Sequence, residues 1–321
     1  MSLDKKHVLV TGGAGFIGSN IVEKLLNSNV SVTVLDNLST GKLSNLEEFI
    51  SNPDFKFIEG DICDYEICLK ALDSIDLVCH QAALGSVPRS IEFPHKTHEV
   101  NATGFLNVLH AAKEKGIKRF VYASSSSVYG DSPKSPKIEG EEGNLLSPYA
   151  VTKQLNEKYA KVYSQLHGME TIGLRYFNIF GPKQDPNGVY AAAIPKFIAR
   201  LKSNEDVVIN GDGLQTRDFT YVKNAVSANF LSLFNEDKDA SGKVYNVACN
   251  DSFTLNHVVE ALRIGLKLNG VNSNSKIVNG PERAGDIKHS LANINSIQDN
   301  LGYKPLYTFQ EGVDEYISTL I

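Results

Sequence analysis

An α/β fold built on a doubly wound parallel sheet is what this sequence predicts. Three observations carry the prediction. Short β-rich runs alternate with helical patterns through the first half of the chain. The first such run, His7–Thr11, ends in glycines that open a helix. A cluster of hydroxyl residues, 124–127, follows directly on the strand pattern at 119–123, where a parallel sheet presents ligand sites.

The elements follow in order. Residues 16–28 read as a helix with Ile17, Ile21, Val22 and Leu25 on one side. Strands are read at 30–35 and 55–59, a helix at 64–72, and a strand at 76–79. A long helix over 97–115 stops at Gly116, a natural residue for the position just past a helix end. Ser147-Pro148 supplies a cap and a first-turn proline for a helix running to about His167-Gly168, and a strand follows at 171–176. Beyond residue 177 the alternation fades into turn-rich stretches such as 185–188 and 211–213, which read as a smaller, loop-rich region over a ligand. Segments 219–222 and 244–247 are candidates to rejoin the main sheet, and the Asn/Ser-rich stretch 269–275 reads as a surface loop.

Composition narrows the function classes. The chain has 321 residues, 42% apolar and 21% charged, enough for a sizeable core and too apolar for disorder. Its 32 Lys+Arg against 37 Asp+Glu leave a net charge of −5, with no basic excess to draw nucleic acid. Four cysteines (Cys63, Cys68, Cys79, Cys249) form no CxxC pair, so neither a zinc site nor a disulfide framework is expected. No apolar run is long enough for a membrane span and the first residues lack a secretory pattern, so the expectation is a cytoplasmic protein with no membrane partner and no metal.

The segment 11–18 (TGGAGFIG) places Gly12, Gly15 and Gly18 between a strand and a helix. Gly12 permits the tight turn, Gly15 lets a pyrophosphate approach the backbone, and Gly18 lets helix and strand pack closely. Helix N-terminal amides then face the phosphates. Asp36, at the end of the second strand, can bond both adenosine-ribose hydroxyls and repels a 2′-phosphate, which points to NAD over NADP. Asp61 ends the third strand and can either bond adenine or stand as a solvated turn carboxylate.

Tyr149 and Lys153 stand four residues apart, on one face of a helix. A neighbouring ammonium and a cationic nicotinamide would each favour phenolate and bring Tyr149 toward a useful catalytic pKa. Alone the pair is common by chance. Its order after the glycine loop and the strand-end serines is what gives it meaning.

On these motifs the sequence resembles the extended short-chain dehydrogenase/reductases, and within them the NAD-dependent nucleotide-sugar 4-epimerases. Further markers are GDI at 60–62, HQAA at 80–83, NATG at 101–104, SSSSVYG at 124–130, SPYAVTK at 147–153 and RYFNIFGP at 175–182. GDGLQTRDF at 211–219 and ERAGDIKHS at 282–290 extend the likeness over nearly the whole chain. The resemblance implies Ser125, Tyr149 and Lys153 as catalytic residues. Beside NAD it implies Gly12, Gly15, Phe16, Ile17, Gly18, Asp36, Asn37, Asp61, Ile62, Gln81, Ala82, Ala83, Asn101 and Tyr176, with Tyr149 and Lys153. Around a UDP-sugar it implies Gly85, Ser86, Ser127, Asn178, Gln184, Ala192, Arg217, Arg283, Asp286 and Ser290, with Ser125 and Tyr149. Residues 1–176 with about 218–247 would hold the cofactor, and 177–217 with 248–321 the substrate.

The same resemblance separates the chemistries. Related 4,6-dehydratases carry Asp-Glu where this chain has Ser126-Ser127, and related decarboxylases carry Glu at position 127. Glucuronate epimerases show Thr where Asn178 stands. Simple 4-epimerisation is the expectation, with a silent nucleotide-sugar binder as the alternative class. The stretches GSVPRS (85–90) and KQDPNGVYAA (183–192) resemble the subgroup acting on UDP-N-acetylglucosamine and UDP-N-acetylgalactosamine, and UDP-glucose and UDP-glucuronate are the alternatives. Ser290 falls at the family's gate position, where a serine leaves room for an acetamido group. A homodimer is expected through the helices 97–115 and 147–167, using Phe105, Val108, Leu109, Ala112, Val151, Leu155 and Tyr159.

Overall fold

The computed structural model describes residues 6–186, 192–281 and 288–321. Seven parallel strands form the main sheet, in the order Lys243–Val247, Glu170–Tyr176, Arg119–Ser125, Leu77–His80, His7–Thr11, Ser31–Asp36 and Phe55–Glu59. The order reverses beside His7–Thr11, the strand that carries the glycine loop at its carboxyl end. That reversal opens a crevice, which is where an open parallel sheet binds ligands.

The central strands are buried on both faces, so their runs of Val, Ile and Leu need no alternation. One face packs against helices Phe16–Leu26 and Val222–Phe234. The other packs against Tyr65–Ala71, Phe105–Glu114 and Pro148–His167. Ser147 caps the last of these, accepting from Ala150 N at 3.1 Å, with Pro148 in the first turn.

Several expectations change on contact with the structure. The helix expected over 97–115 is in three parts: Pro94–His98, a π-helical turn Glu99–Gly104, and Phe105–Glu114. The wide turn coincides with Asn101, whose side chain bonds both the N–H (2.7 Å) and the carbonyl (3.2 Å) of Leu84. Residues 220–221 do not rejoin the main sheet but pair with Ile179–Phe180 in a separate ribbon, whereas Lys243–Val247 is its edge strand. The later region also holds more helix than its turns imply, at Ala193–Lys202, Val222–Phe234, Leu255–Leu268 and Phe309–Ser318. Phe105, Val108, Leu109 and Ala112 are fully buried in the monomer core and are not surplus surface. Among the described residues no helix is long and apolar enough to cross a membrane.

His80 stands at the centre of an aromatic group, 5.2 Å from the Phe105 ring and 5.9 Å from the Phe120 ring, with Nδ1 3.0 Å from Thr11 Oγ1. Burial first, and the Lys153 charge second, push its pKa down to about 3. A neutral ring in the folded state and a titrating one in the unfolded chain favour folding above about 6.5, and that advantage fades as the pH falls toward 3. Between pH 7 and pH 5 the wild-type protein should lose about 2 kcal/mol from this ring alone. Urea unfolding at both pH values, compared with His80→Gln, measures it; an equal loss in the variant would assign the acid sensitivity elsewhere.

Candidate active site

The glycine loop closes on itself. Gly12 has φ +69°, and a Cβ there would stand 2.6 Å from Ala82 N. A Cβ on Gly18 would stand 2.1 Å from Gly12 O, so only glycine lets the helix start this close to the strand. Gly15 is looser, with Gly12 O at 3.2 Å as the single neighbour of a Cβ, and its open side faces the cleft. The loop thus presents bare backbone to a cavity of about 300 Å³.

The walls of this cleft gather most of the residues expected beside NAD: Gly12, Gly15, Phe16, Ile17, Gly18, Asp36, Asn37, Asp61, Ile62, Gln81, Ala82, Ala83, Tyr149, Lys153 and Tyr176. Asp36 is buried, and its two carboxylate oxygens accept from Ala14 N (2.9 Å) and Leu38 N (2.8 Å). Those bonds fix the carboxylate while leaving a lone pair on each oxygen. Burial raises its pKa, and the two amides counter the rise. Asp61 accepts from Asn37 Nδ2 at 2.9 Å and Cys63 N at 2.9 Å. It is a carboxylate held at the rim of the cleft. Its pKa is lowered; burial acts in the opposite sense and is outweighed by these bonds. Asn101 does not line the cleft; it braces the wall through Leu84.

At the other end of the cleft Tyr149, Lys153 and Ser124 come together beside Ser125. Lys153 is buried, donates to Ala123 O at 2.8 Å, and has Nζ 5.9 Å from the Tyr149 ring centre. Burial brings the Lys153 pKa down to about 8, with Glu157 pulling it back up. Tyr149 departs from the expectation. Burial raises its pKa, and the hydrogen-bonded Ser125 hydroxyl, not Lys153, is the group that lowers it. Ser125 Oγ also accepts from Ser127 N at 3.1 Å, which turns the chain after the strand. The Ser127 hydroxyl is buried without a protein partner.

A second cavity, of about 710 Å³, lies over the later half of the chain. Ser86, Asn178, Ala192 and Arg217 line it, as expected of substrate residues. Gly85 lines the first cleft and Ser86 the second, so the two share that stretch of backbone. Ser86 also caps the helix Val87–Glu92, accepting from Arg89 N at 3.1 Å, so the expected GSVPRS loop is a helix start. Asn178 has φ +40° and donates to Asp218 O at 2.8 Å. Gln184 donates to Ile179 O at 3.3 Å and does not line the cavity. Arg217 donates to Thr216 O at 2.9 Å. Ser290 pairs with Arg217 on the neighbouring strand, is buried, and does not line the cavity, a departure from its expected place at the gate. Arg283 and Asp286 lie outside the described residues, as does 187–191 of the KQDPNGVYAA stretch.

Sequence reading missed Lys196, Phe197, Val208, Asn210 and Leu255, which form much of the second wall. They come from short strands and helices far apart in the chain, with no motif to join them.

A parallel sheet with a glycine-loop cleft ending on a tyrosine and a buried lysine defines the extended short-chain dehydrogenase/reductases. The model of the NAD dependent epimerase/dehydratase family matches residues 8–248, and the chain belongs to that family. A UDP-N-acetylglucosamine 4-epimerase from Methanobrevibacter ruminantium, solved with UDP-N-acetylmuramic acid, superposes with a TM-score of 0.92 at 40% identity over 99% of both chains. The UDP-glucose 4-epimerase of Thermus thermophilus, solved with NAD, gives a TM-score of 0.86 at 34% identity, covering 97% of this chain and 98% of that one. A putative UDP-glucose 4-epimerase of Methanocaldococcus jannaschii is 34% identical over 313 residues, 97% of each protein. The cofactor is NAD, and the family to which the chain belongs is one of NAD-dependent epimerases and dehydratases.

Proposed function

We propose that this protein interconverts UDP-N-acetylglucosamine and UDP-N-acetylgalactosamine by transient oxidation at carbon 4 of the sugar. The observation that carries it is the meeting of Ser125, Tyr149 and Lys153 at the end of the dinucleotide cleft where Gly85 and Ser86 open onto the second cavity. The 40% identity to an enzyme named for UDP-N-acetylglucosamine supports the acetylated sugar.

Bound NAD supplies a hydride acceptor that is restored in each turnover. Gly12, Gly15 and Gly18 would admit its pyrophosphate, and the lone pairs left on Asp36 would take the adenosine ribose hydroxyls. Tyr149 removes the proton from the sugar 4-hydroxyl and returns it to the same oxygen after the keto sugar has turned over. Ser125 bonds that oxygen and lowers the Tyr149 pKa. Lys153, anchored on Ala123 O, would offer its remaining N–H groups to the cofactor ribose. With Ser126 and Ser127 in place of an acid pair, no group stands there to eliminate water across the ring. Residues 1–176 with about 218–247 serve the cofactor, and 177–217 with 248–321 the UDP-sugar. Arg217, Arg283 and Asp286 are the proposed partners of diphosphate and ribose.

The second reading, a UDP-glucose 4-epimerase, is the name carried by the Thermus and Methanocaldococcus relatives. Position 290 separates the two. Ser290→Tyr adds a ring beside Arg217 and should cut kcat/KM on UDP-N-acetylglucosamine about 5- to 150-fold relative to UDP-glucose, the size of an overpacking penalty. Assaying both sugars with both proteins tests this. No interconversion of the acetylated pair by the wild-type protein would sink the reading, and an unchanged ratio in the variant would remove Ser290 as the cause.

The assembly is proposed to be a homodimer. Helices Val87–Glu92 and Pro148–His167 pack together and leave Val87, Ile91, Val151, Val162 and Leu166 exposed, with Phe93 beside them. Light scattering should give twice the 35.1 kDa chain mass at micromolar concentration, and a monomer would overturn it.

A further inference from the structure

Behind the dinucleotide cleft lies a set of buried polar side chains that the reaction above does not use. Asn229, on the helix Val222–Phe234, is fully buried. Its Nδ2 donates to the Tyr176 hydroxyl at 2.7 Å and to Ala225 O at 2.7 Å. The Tyr176 hydroxyl donates to Gln81 Oε1 at 3.0 Å, and Gln81 Nε2 donates to Asn229 Oδ1 at 3.0 Å. The three side chains close a ring of hydrogen bonds. Only one orientation of each amide satisfies it, because flipping either sets oxygen against oxygen or N–H against N–H.

The ring joins parts that the sheet keeps apart. Gln81 follows the strand Leu77–His80, Tyr176 ends Glu170–Tyr176, and Arg119–Ser125 runs between them. Gln81 and Tyr176 both line the cleft, at the end occupied by Tyr149 and Lys153, while Asn229 does not reach it. With its hydroxyl engaged as donor and as acceptor, Tyr176 presents its ring to a ligand, not its O–H.

We propose that Asn229 is a positioning residue for the nicotinamide end of NAD: by bonding Gln81 and Tyr176 from behind, it makes one rigid seat that sets where the nicotinamide lies against Tyr149 and Lys153. This rests on the NAD reading of the cleft. An enzyme that must pass a hydride out and back within one turnover needs that ring held through both steps. The adenosine end would rest on Asp36 and Asp61, whose own bonds are separate from this ring.

The test is binding, by calorimetric titration of the cofactor-stripped protein with NAD and with ADP-ribose, which lacks the nicotinamide. Asn229→Leu keeps the volume and removes the ring's bridge. Its NAD dissociation constant should rise about tenfold or more, the scale of one lost buried hydrogen bond, with ADP-ribose affinity unchanged. Equal weakening of both ligands would show a general packing role and overturn the proposal, as would no change in either. Tyr176→Phe, which removes only the hydroxyl, should give the same split and serves where Asn229→Leu does not fold; absence of the split in Tyr176→Phe overturns the proposal too. The wild-type titration tests the cofactor reading separately, because failure there removes NAD itself and not only its positioning.

Discussion

Tyr149→Phe should lower kcat by at least ~10²-fold, the usual scale for a lost general base, while the dissociation constant of the UDP-sugar changes little. The substitution removes one oxygen and keeps the ring that packs beside Lys153, so the cleft keeps its shape. Burial holds the phenol above its ordinary pKa, so phenolate is the minor form at neutral pH and the wild-type rate should climb as the pH rises. The variant has no such group and its residual rate should lack that rise. Single-turnover kinetics and equilibrium binding on the same preparation separate the two effects. Near-wild-type turnover in the variant would place the proton acceptor elsewhere.

Arg175→Met should destabilise the fold by about 3–5 kcal/mol, the scale for breaking a buried ion pair by removing one partner. Arg175 is buried and forks onto Glu157, with Nε 2.9 Å from Oε1 and Nη2 2.8 Å from Oε2. Glu157 is buried too, and its Oε1 also accepts from Ser124 Oγ at 2.5 Å. The second carboxylate on Arg175, Glu142 at 2.5 Å, ties the loop before the Tyr149 helix to the same guanidinium. Removing the arginine strands a carboxylate one helical turn beyond Lys153. Arg175→Met combined with Glu157→Met leaves no stranded charge at position 157 and should recover a large part of the loss, because two apolar groups replace two charges. Urea unfolding of the two variants against wild type checks it. A single variant within about 1 kcal/mol of wild type would show that the pair is not what holds the helix to the sheet.

How much was legible depended on how local each feature is. The strands at 7–11, 55–59 and 119–123 are short β-rich runs bounded by turn residues, and the structure places strands there. Helix Val222–Phe234 escaped reading because Asn224, Asn229 and Ser232 are buried in it among small apolar residues, so it shows no polar face. Leu255–Leu268 and Phe309–Ser318 do carry signals, an apolar stripe through Val258, Leu262 and Leu266 and a Thr308–Glu311 capping box. Phe105, Val108, Leu109 and Ala112 looked like surplus apolar surface because a sequence does not say how many neighbours a helix will meet.

The sequence by itself determined the glycine loop, the carboxylate that ends the second strand, and the Tyr149/Lys153 pair. Each is set by residues within a turn or two of one another, where spacing alone dictates geometry. Only the tertiary structure decided which partners meet across the sheet. It brought Ser125 to Tyr149, gave Arg175 to Glu157, closed Asn229 onto Gln81 and Tyr176, and set Ser290 beside Arg217. Those contacts depend on strand order and on the depth at which each helix packs, and neither is written in the spacing of neighbours along a chain.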